Sequence, residues 1–172
     1  PEPLFAELAA ITDEVEATRR MQQIYAEPIK AELITTRLDE IRAAGVPVAG
    51  ALSPQRAAEF ASVVESAGVD FFIIRGTTVS AEHVSEQGEP LDLKEFIYDL
   101  DVPVIVGGAV TYTGALHLMR TGAAGVLAGY GGGAASATRR TVGIAAPMAT
   151  TIADIAAARR DYLDESGGRY VH

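Results

Sequence analysis

The residues best suited to chemistry in this chain follow a run of glycines. Gly129-Tyr130-Gly131-Gly132-Gly133 ends an apolar stretch, and Ala134-Ala135-Ser136-Ala137-Thr138-Arg139-Arg140 comes directly after it. Glycine tolerates positive φ and lets a ligand lie against main-chain N–H groups. Ser136 and Thr138 add hydroxyls, and Arg139 and Arg140 add guanidinium groups whose geometry matches phosphate oxygens. The pattern points to a phosphate or nucleotide loop, and its plainer reading is a solvated surface loop. Ser136 as a nucleophile needs a base, and His83, His117 and His172 all lie far from it in sequence. His117, on the helical stretch Ala115-Leu116-His117-Leu118-Met119, reads as a half-buried packing residue, and His83 falls in a polar loop. Asp154, Asp161, Asp164 and Glu165 are interleaved with Arg159 and Arg160, which reads as the solvated ion-pair face of one helix. No grouping of side chains has metal-ligand spacing.

These residues must be held by the elements around them. Apolar spacing predicts a helix over 4–25, with Leu4, Leu8, Ile11, Val15 and Met21 on one side. A second helix runs over about 30–44 to Gly45. The period then changes, and short apolar strands alternate with helices. Val46 to Leu52 is a strand, followed by the cap Ser53-Pro54 and a helix to Gly68. Val69 to Arg75 reads as a strand buried on both faces, and Gly76 to Pro90 as a loop. Asp92 to Leu100 is a short helix, Val102 to Gly108 a strand, Thr111 to Thr121 a helix stopped by Gly122, and Ala124 to Ala128 a strand. The last helix runs from about Pro147 to Glu165. Apolar strands alternating with helices indicate a parallel sheet with crossover helices. A doubly wound sheet and an arc of a (β/α)₈ barrel both fit. Either one gathers its site at the C-terminal ends of the strands. That puts Arg75-Gly76, Gly107-Gly108 and Gly129 to Gly133 on one rim.

Composition narrows the functions further. The chain has 172 residues, 48% of them hydrophobic, with no apolar run near membrane-span length. A net charge of −9 argues against general nucleic-acid binding, which needs clustered Lys and Arg. The absence of cysteine excludes disulfides, thiolate metal sites and a cysteine nucleophile. With no signal peptide or lipidation motif, the expected compartment is the cytoplasm. The opening Pro1-Glu2-Pro3 and the closing Gly168-Arg169-Tyr170-Val171-His172, which reads as the start of a strand, suggest a piece of a longer protein.

Val104-Ile105-Val106-Gly107-Gly108, then Ala124-Gly125-Val126-Leu127-Ala128-Gly129-Tyr130-Gly131-Gly132-Gly133 and the loop to Thr138, resemble the core of the IMP dehydrogenase and GMP reductase family. Ala115 to Gly125 and Arg159 to Glu165 are similar to its divergent actinobacterial branch. The resemblance covers four βα units from about Val46 onward. It implies a (β/α)₈ barrel of which this chain carries the central units: one partial-barrel domain over 1–172, with leading helices over 1–45, βα units over 46–172 and no CBS-type domain. It implies a purine nucleoside monophosphate on the glycine loop, NAD or NADP as hydride carrier, a monovalent cation and a homo-oligomer, commonly a tetramer. The open strand edges near Val46 and Val171 also favour self-association.

Carried over by position, Gly129, Gly131, Gly132, Gly133 and Arg139 fall at the nucleotide loop. Ser136 stands where the family has its catalytic cysteine, and Thr138 matches the threonine two residues later. Arg75, Gly76, Gly107 and Gly108 fall at the cofactor side. The departures are Ser136 for the cysteine, Ala134 for a phosphate-binding serine, Ala109 for an asparagine, and Arg75 for the acidic residue that holds the nicotinamide ribose. A serine hydroxyl is far less available as an anion than a thiol at neutral pH. The resemblance therefore implies either a purine nucleotide oxidoreductase (IMP to XMP with NAD, or GMP to IMP with NADPH) or a paralogue that binds the nucleotide in a regulatory role with little or no turnover.

Overall fold

The structure is a computed structural model that describes residues 2–76, 78–81, 90–131, 133 and 136–172. It forms two compact units, Pro1–Leu33 and Ile34–His172. In the first, helices α1 (Glu2–Ala10) and α2 (Glu14–Tyr25) replace the single helix expected over 4–25. The break has a local cause: Asp13 adopts extended geometry and its carboxylate accepts from Glu16 N, which starts a new helix. Arg20 pairs with Glu7 across the break at 2.6 Å. The expected apolar side is not buried, since neither helix contains a buried residue. Helix α3 (Ala31–Ala43) ends before Gly45 at φ +73°.

The second unit carries β1 (Ala49–Leu52), α4 (Pro54–Ser66), β2 (Phe71–Arg75), α5 (Leu93–Asp99), β3 (Val104–Ala109), α6 (Tyr112–Arg120), β4 (Gly125–Ala128), α7 (Ala137–Val142) and α8 (Met148–Glu165). All strand pairs are parallel and the spatial order is β1-β2-β3-β4. A doubly wound sheet reverses its strand order at a switch point. The uninterrupted order here is that of an arc of a (β/α)₈ barrel, so the fold is α/β and the sheet is part of that barrel.

The two sheet faces have different neighbours. Phe72, Ile74, Val104 and Val106 are fully buried in a core shared with Ala57 and Val64 of α4 and Ala115 and Leu118 of α6. Phe96 of α5 meets Phe72 edge to face at 5.4 Å. The other face presents rows fixed by register: Ala49 beside Phe71, then Ala51, Ile73, Ile105 and Gly125, then Arg75, Gly107 and Leu127. On this face Phe71 and Arg75 are exposed and Ile73 is half-buried, so β2 is buried on one face rather than both. Period-2 strands in a barrel put alternate residues toward helices and interior.

Beyond β4, the strand expected at the end of the sequence begins as foreseen. His172 N donates to Ala124 O at 3.0 Å, its carbonyl accepts from Val126 N at 2.8 Å, and Val171 is buried. That reciprocal pair is the parallel ladder. Among the described residues, no helix is long and apolar enough to cross a membrane.

Candidate active site at the strand ends

The C-terminal ends of β2, β3 and β4 are laced together by main-chain hydrogen bonds. Gly76 N donates to Gly107 O at 2.8 Å, Gly108 N to Gly76 O at 3.2 Å, and Val79 N to Gly108 O at 3.1 Å. Gly129 N donates to Ala109 O at 2.6 Å. Between β3 and β4 the register slips, with Gly107 opposite Leu127 but Ala109 opposite Ala128. Gly108 is the extra residue of this bulge, and bulges re-aim a chain at a rim. Arg75, Gly76, Gly107, Gly108 and Gly129 thus meet on one edge, as their sequence positions implied.

The glycines are there for different reasons. A Cβ on Gly107 would meet Leu127 Cβ at 2.5 Å and Leu127 O at 2.8 Å, so β4 itself demands glycine at 107. Gly129 has φ +76°, and a Cβ would press on Met148 Sδ at 2.6 Å, at the start of α8. Gly107 is set by packing against Leu127, and Gly129 by its left-handed backbone, since the end of the Met148 side chain can move aside. Gly131 has φ +76° and open space where a Cβ would sit. Gly133 has no positive φ, and among the described residues no neighbour lies within 4 Å of a built Cβ. Neither its described surroundings nor its backbone conformation requires glycine there. The hydroxyl of Tyr130, between Gly129 and Gly131, is buried without a hydrogen-bond partner among the described residues, a state that is rare for a phenol.

After Gly133 the chain turns into α7. Gly133 N donates to Gly131 O at 2.9 Å and Ser136 N to Gly133 O at 3.1 Å. Ser136 is the N-cap, its Oγ accepting from Arg139 N at 3.4 Å. Thr138 lies in the first turn. The helix ends at Gly143 in left-handed geometry, and its N–H donates to Arg139 O. Sequence reasoning missed α7, although Ser136 and Gly143 bracket it as a cap and a C′ glycine.

No base reaches Ser136 from the described histidines. His117 is exposed in the last turn of α6, at the far end of the sheet from the rim, and is not the half-buried packing residue expected. His172 lies beside Gly125, at the start of β4. His83, Gly132 and Ala134 lie outside the described residues. Among the described residues no group of three or more His, Cys, Asp or Glu could hold a metal ion.

Two of the α8 carboxylates, Asp161 and Glu165, bond to another element rather than along their own helix. Glu165 holds Arg120 of α6 through two hydrogen bonds, at 2.8 and 2.6 Å, and Asp161 accepts from Tyr112 Oη at 2.6 Å. The Arg120 guanidinium keeps the Glu165 carboxyl below the usual carboxylate range, and the Asp161 bond pushes the Tyr112 phenol up. A groove of about 670 Å³ between α5 and the end of α6, lined by residues such as Asp92, Tyr98, Arg120 and Arg169, includes none of the rim residues.

The domain described as IMP dehydrogenase / GMP reductase matches residues 9–165. The chain belongs to the IMP dehydrogenase / GMP reductase family. An uncharacterized oxidoreductase of Mycobacterium tuberculosis (strain ATCC 25618 / H37Rv) is 53% identical over 157 residues, 91% of this chain and 42% of that protein. An inosine-5'-monophosphate dehydrogenase of Haemophilus influenzae is 35% identical over 95 residues, 55% of this chain and 19% of that protein. The crystal structure of an IMP dehydrogenase/GMP reductase-like protein from Corynebacterium glutamicum aligns with a TM-score of 0.84 and 47% identity, covering 99% of this chain and 44% of that one. The chain therefore spans about two fifths of the length of these longer relatives.

Proposed function

We propose that the rim formed by β2, β3, β4 and the glycine loop is a purine nucleoside monophosphate site of the family type, in which Ser136 closes a helix instead of attacking the purine. The carrying observation is the pairing of open space above Gly133 with the Ser136 Oγ bond to Arg139 N. The first leaves room beside the loop backbone for a phosphate among the described residues. The second occupies a lone pair of the hydroxyl, and no described histidine is placed to take its proton. Arg139 and Arg140 are exposed one turn further on and supply cationic partners for the phosphate.

The nicotinamide side fits less well. A ribose diol is held by an acceptor, and Arg75 at the end of β2 offers only donors. We assign no hydride step to this chain. A second reading, a working NAD- or NADP-linked oxidoreductase in the cytoplasm, is favoured by the family match and by relatives that carry the oxidoreductase name.

The experiment is absorbance at 340 nm for the whole encoded protein, native and Ser136→Cys, with IMP plus NAD and with GMP plus NADPH. We expect no change with the native protein. Turnover by the native protein would establish the second reading, turnover by the cysteine variant alone would mean a nucleotide site that lacks only its nucleophile, and silence in both would point to Arg75 and a changed ligand at the cofactor side.

A further inference from the structure

Arg75 has no described acid to answer it. Arg20, Arg37, Arg42, Arg56 and Arg120 each hold a carboxylate. Arg75 makes no ion pair with any described residue, although the chain carries a net charge of −9. It is exposed, at the C-terminal end of β2, on the sheet face that looks away from the helices. Arg19 and Arg160 are also unpaired among the described residues, but each lies on the exposed side of a helix. What distinguishes Arg75 is its neighbourhood. Its register partner is Gly107, and Leu127 forbids a side chain there, so the floor beside the guanidinium is bare backbone.

From these positions we infer that Arg75 is a specificity-determining residue that reads a second anionic group on the nucleotide bound at this rim. The inference rests on the proposed nucleotide site. β2 and β4 flank β3, so their chains run roughly 10 Å apart, and an arginine side chain covers much of that gap. A purine nucleotide with one phosphate on the glycine loop and a second at its far side would span from Gly133 to Arg75. The guanidinium would meet that second phosphate in a bidentate pair, for which its geometry is suited.

The test is calorimetric titration of the whole encoded protein with guanosine 5′-monophosphate and with guanosine 3′,5′-bisphosphate. Native protein, Arg75→Gln and Arg75→Lys would be compared, with thermal melts to verify folding. The expected result is a preference of at least about tenfold for the bisphosphate in the native protein, consistent with a charge-assisted contact. That preference disappears in Arg75→Gln, returns in part in Arg75→Lys and shrinks with added salt. Equal affinity of the native protein for both ligands would overturn the role of Arg75 and leave the nucleotide site standing. A preference that survives in a folded Arg75→Gln would also overturn it. Failure of the native protein to bind either ligand would overturn the site itself, and this inference with it.

Discussion

The α6–α8 layer and the strand-end rim of one small domain treat polar groups in opposite ways. On the outer layer Arg120 is gripped by Glu165 and Tyr112 by Asp161, so each polar group named there has its complement. At the rim, Arg75, Arg139 and Arg140 have no carboxylate partner, and the Tyr130 hydroxyl no hydrogen bond, among the described residues. The glycines divide in the same way. Gly107 is packed against Leu127, whereas among the described residues Gly131 and Gly133 face open space. A region that closes its own bonds is built for stability, and one that leaves them open is built for a ligand.

This contrast can be broken first at the glycines. Gly107→Ala drives a methyl into Leu127 and should cost about 1–3 kcal/mol or more, seen as a lower midpoint in denaturant. Gly133→Ala should stay within about 0.5 kcal/mol of the native protein in the same experiment. Equal losses at the two positions would erase the distinction drawn between them. A smaller effect belongs to the cap: Ser136→Ala should cost about 1 kcal/mol. Ser136→Asn, which restores an acceptor, should recover most of it. Urea titration reads both, and an unchanged Ser136→Ala would mean that the cap bond carries no weight.

The smallest effect is on the outer layer and depends on pH. Glu165 is held below its ordinary value by Arg120. The stability it contributes is present above the ordinary carboxylate value and fades as pH falls through the lowered one. Tyr112 is raised by Asp161, so its contribution is present below the ordinary tyrosine value and is lost as pH climbs through the raised one. Both pairs are exposed, so Glu165→Gln and Tyr112→Phe should each flatten only a shallow slope in melting temperature against pH, on the acid and alkaline sides respectively. Slopes identical to the native protein would remove these pairs from the account.

Much of the rim was legible in the sequence because glycine and strand end are local signals. The apolar runs ending at Arg75, Gly108 and Ala128 located three neighbouring strand ends, and the glycine loop followed from composition. The pattern of strands and helices left the barrel arc and the doubly wound sheet open, the family resemblance chose the barrel, and the uninterrupted strand order agrees with it. What stayed hidden depended on partners distant in the chain. Leu127 decides why residue 107 is glycine, and nothing local announces that contact. The acids of α8 look like an intrahelical ladder, yet the hydrogen-bond partners of Asp161 and Glu165 lie more than forty residues away on α6. The N-terminal helix broke at Asp13 because a local cap outweighed a periodic pattern with nothing to bury.

The central claim is that the open space above Gly133 belongs to a nucleotide phosphate. The most direct measurement is titration of IMP into the whole encoded protein, native and Gly133→Val, with thermal melts run in parallel. Binding by the native protein and a loss of at least about tenfold in the valine variant, at an unchanged melting temperature, is the result this account predicts. Equal affinity in the two proteins, or no binding by the native one, would contradict it.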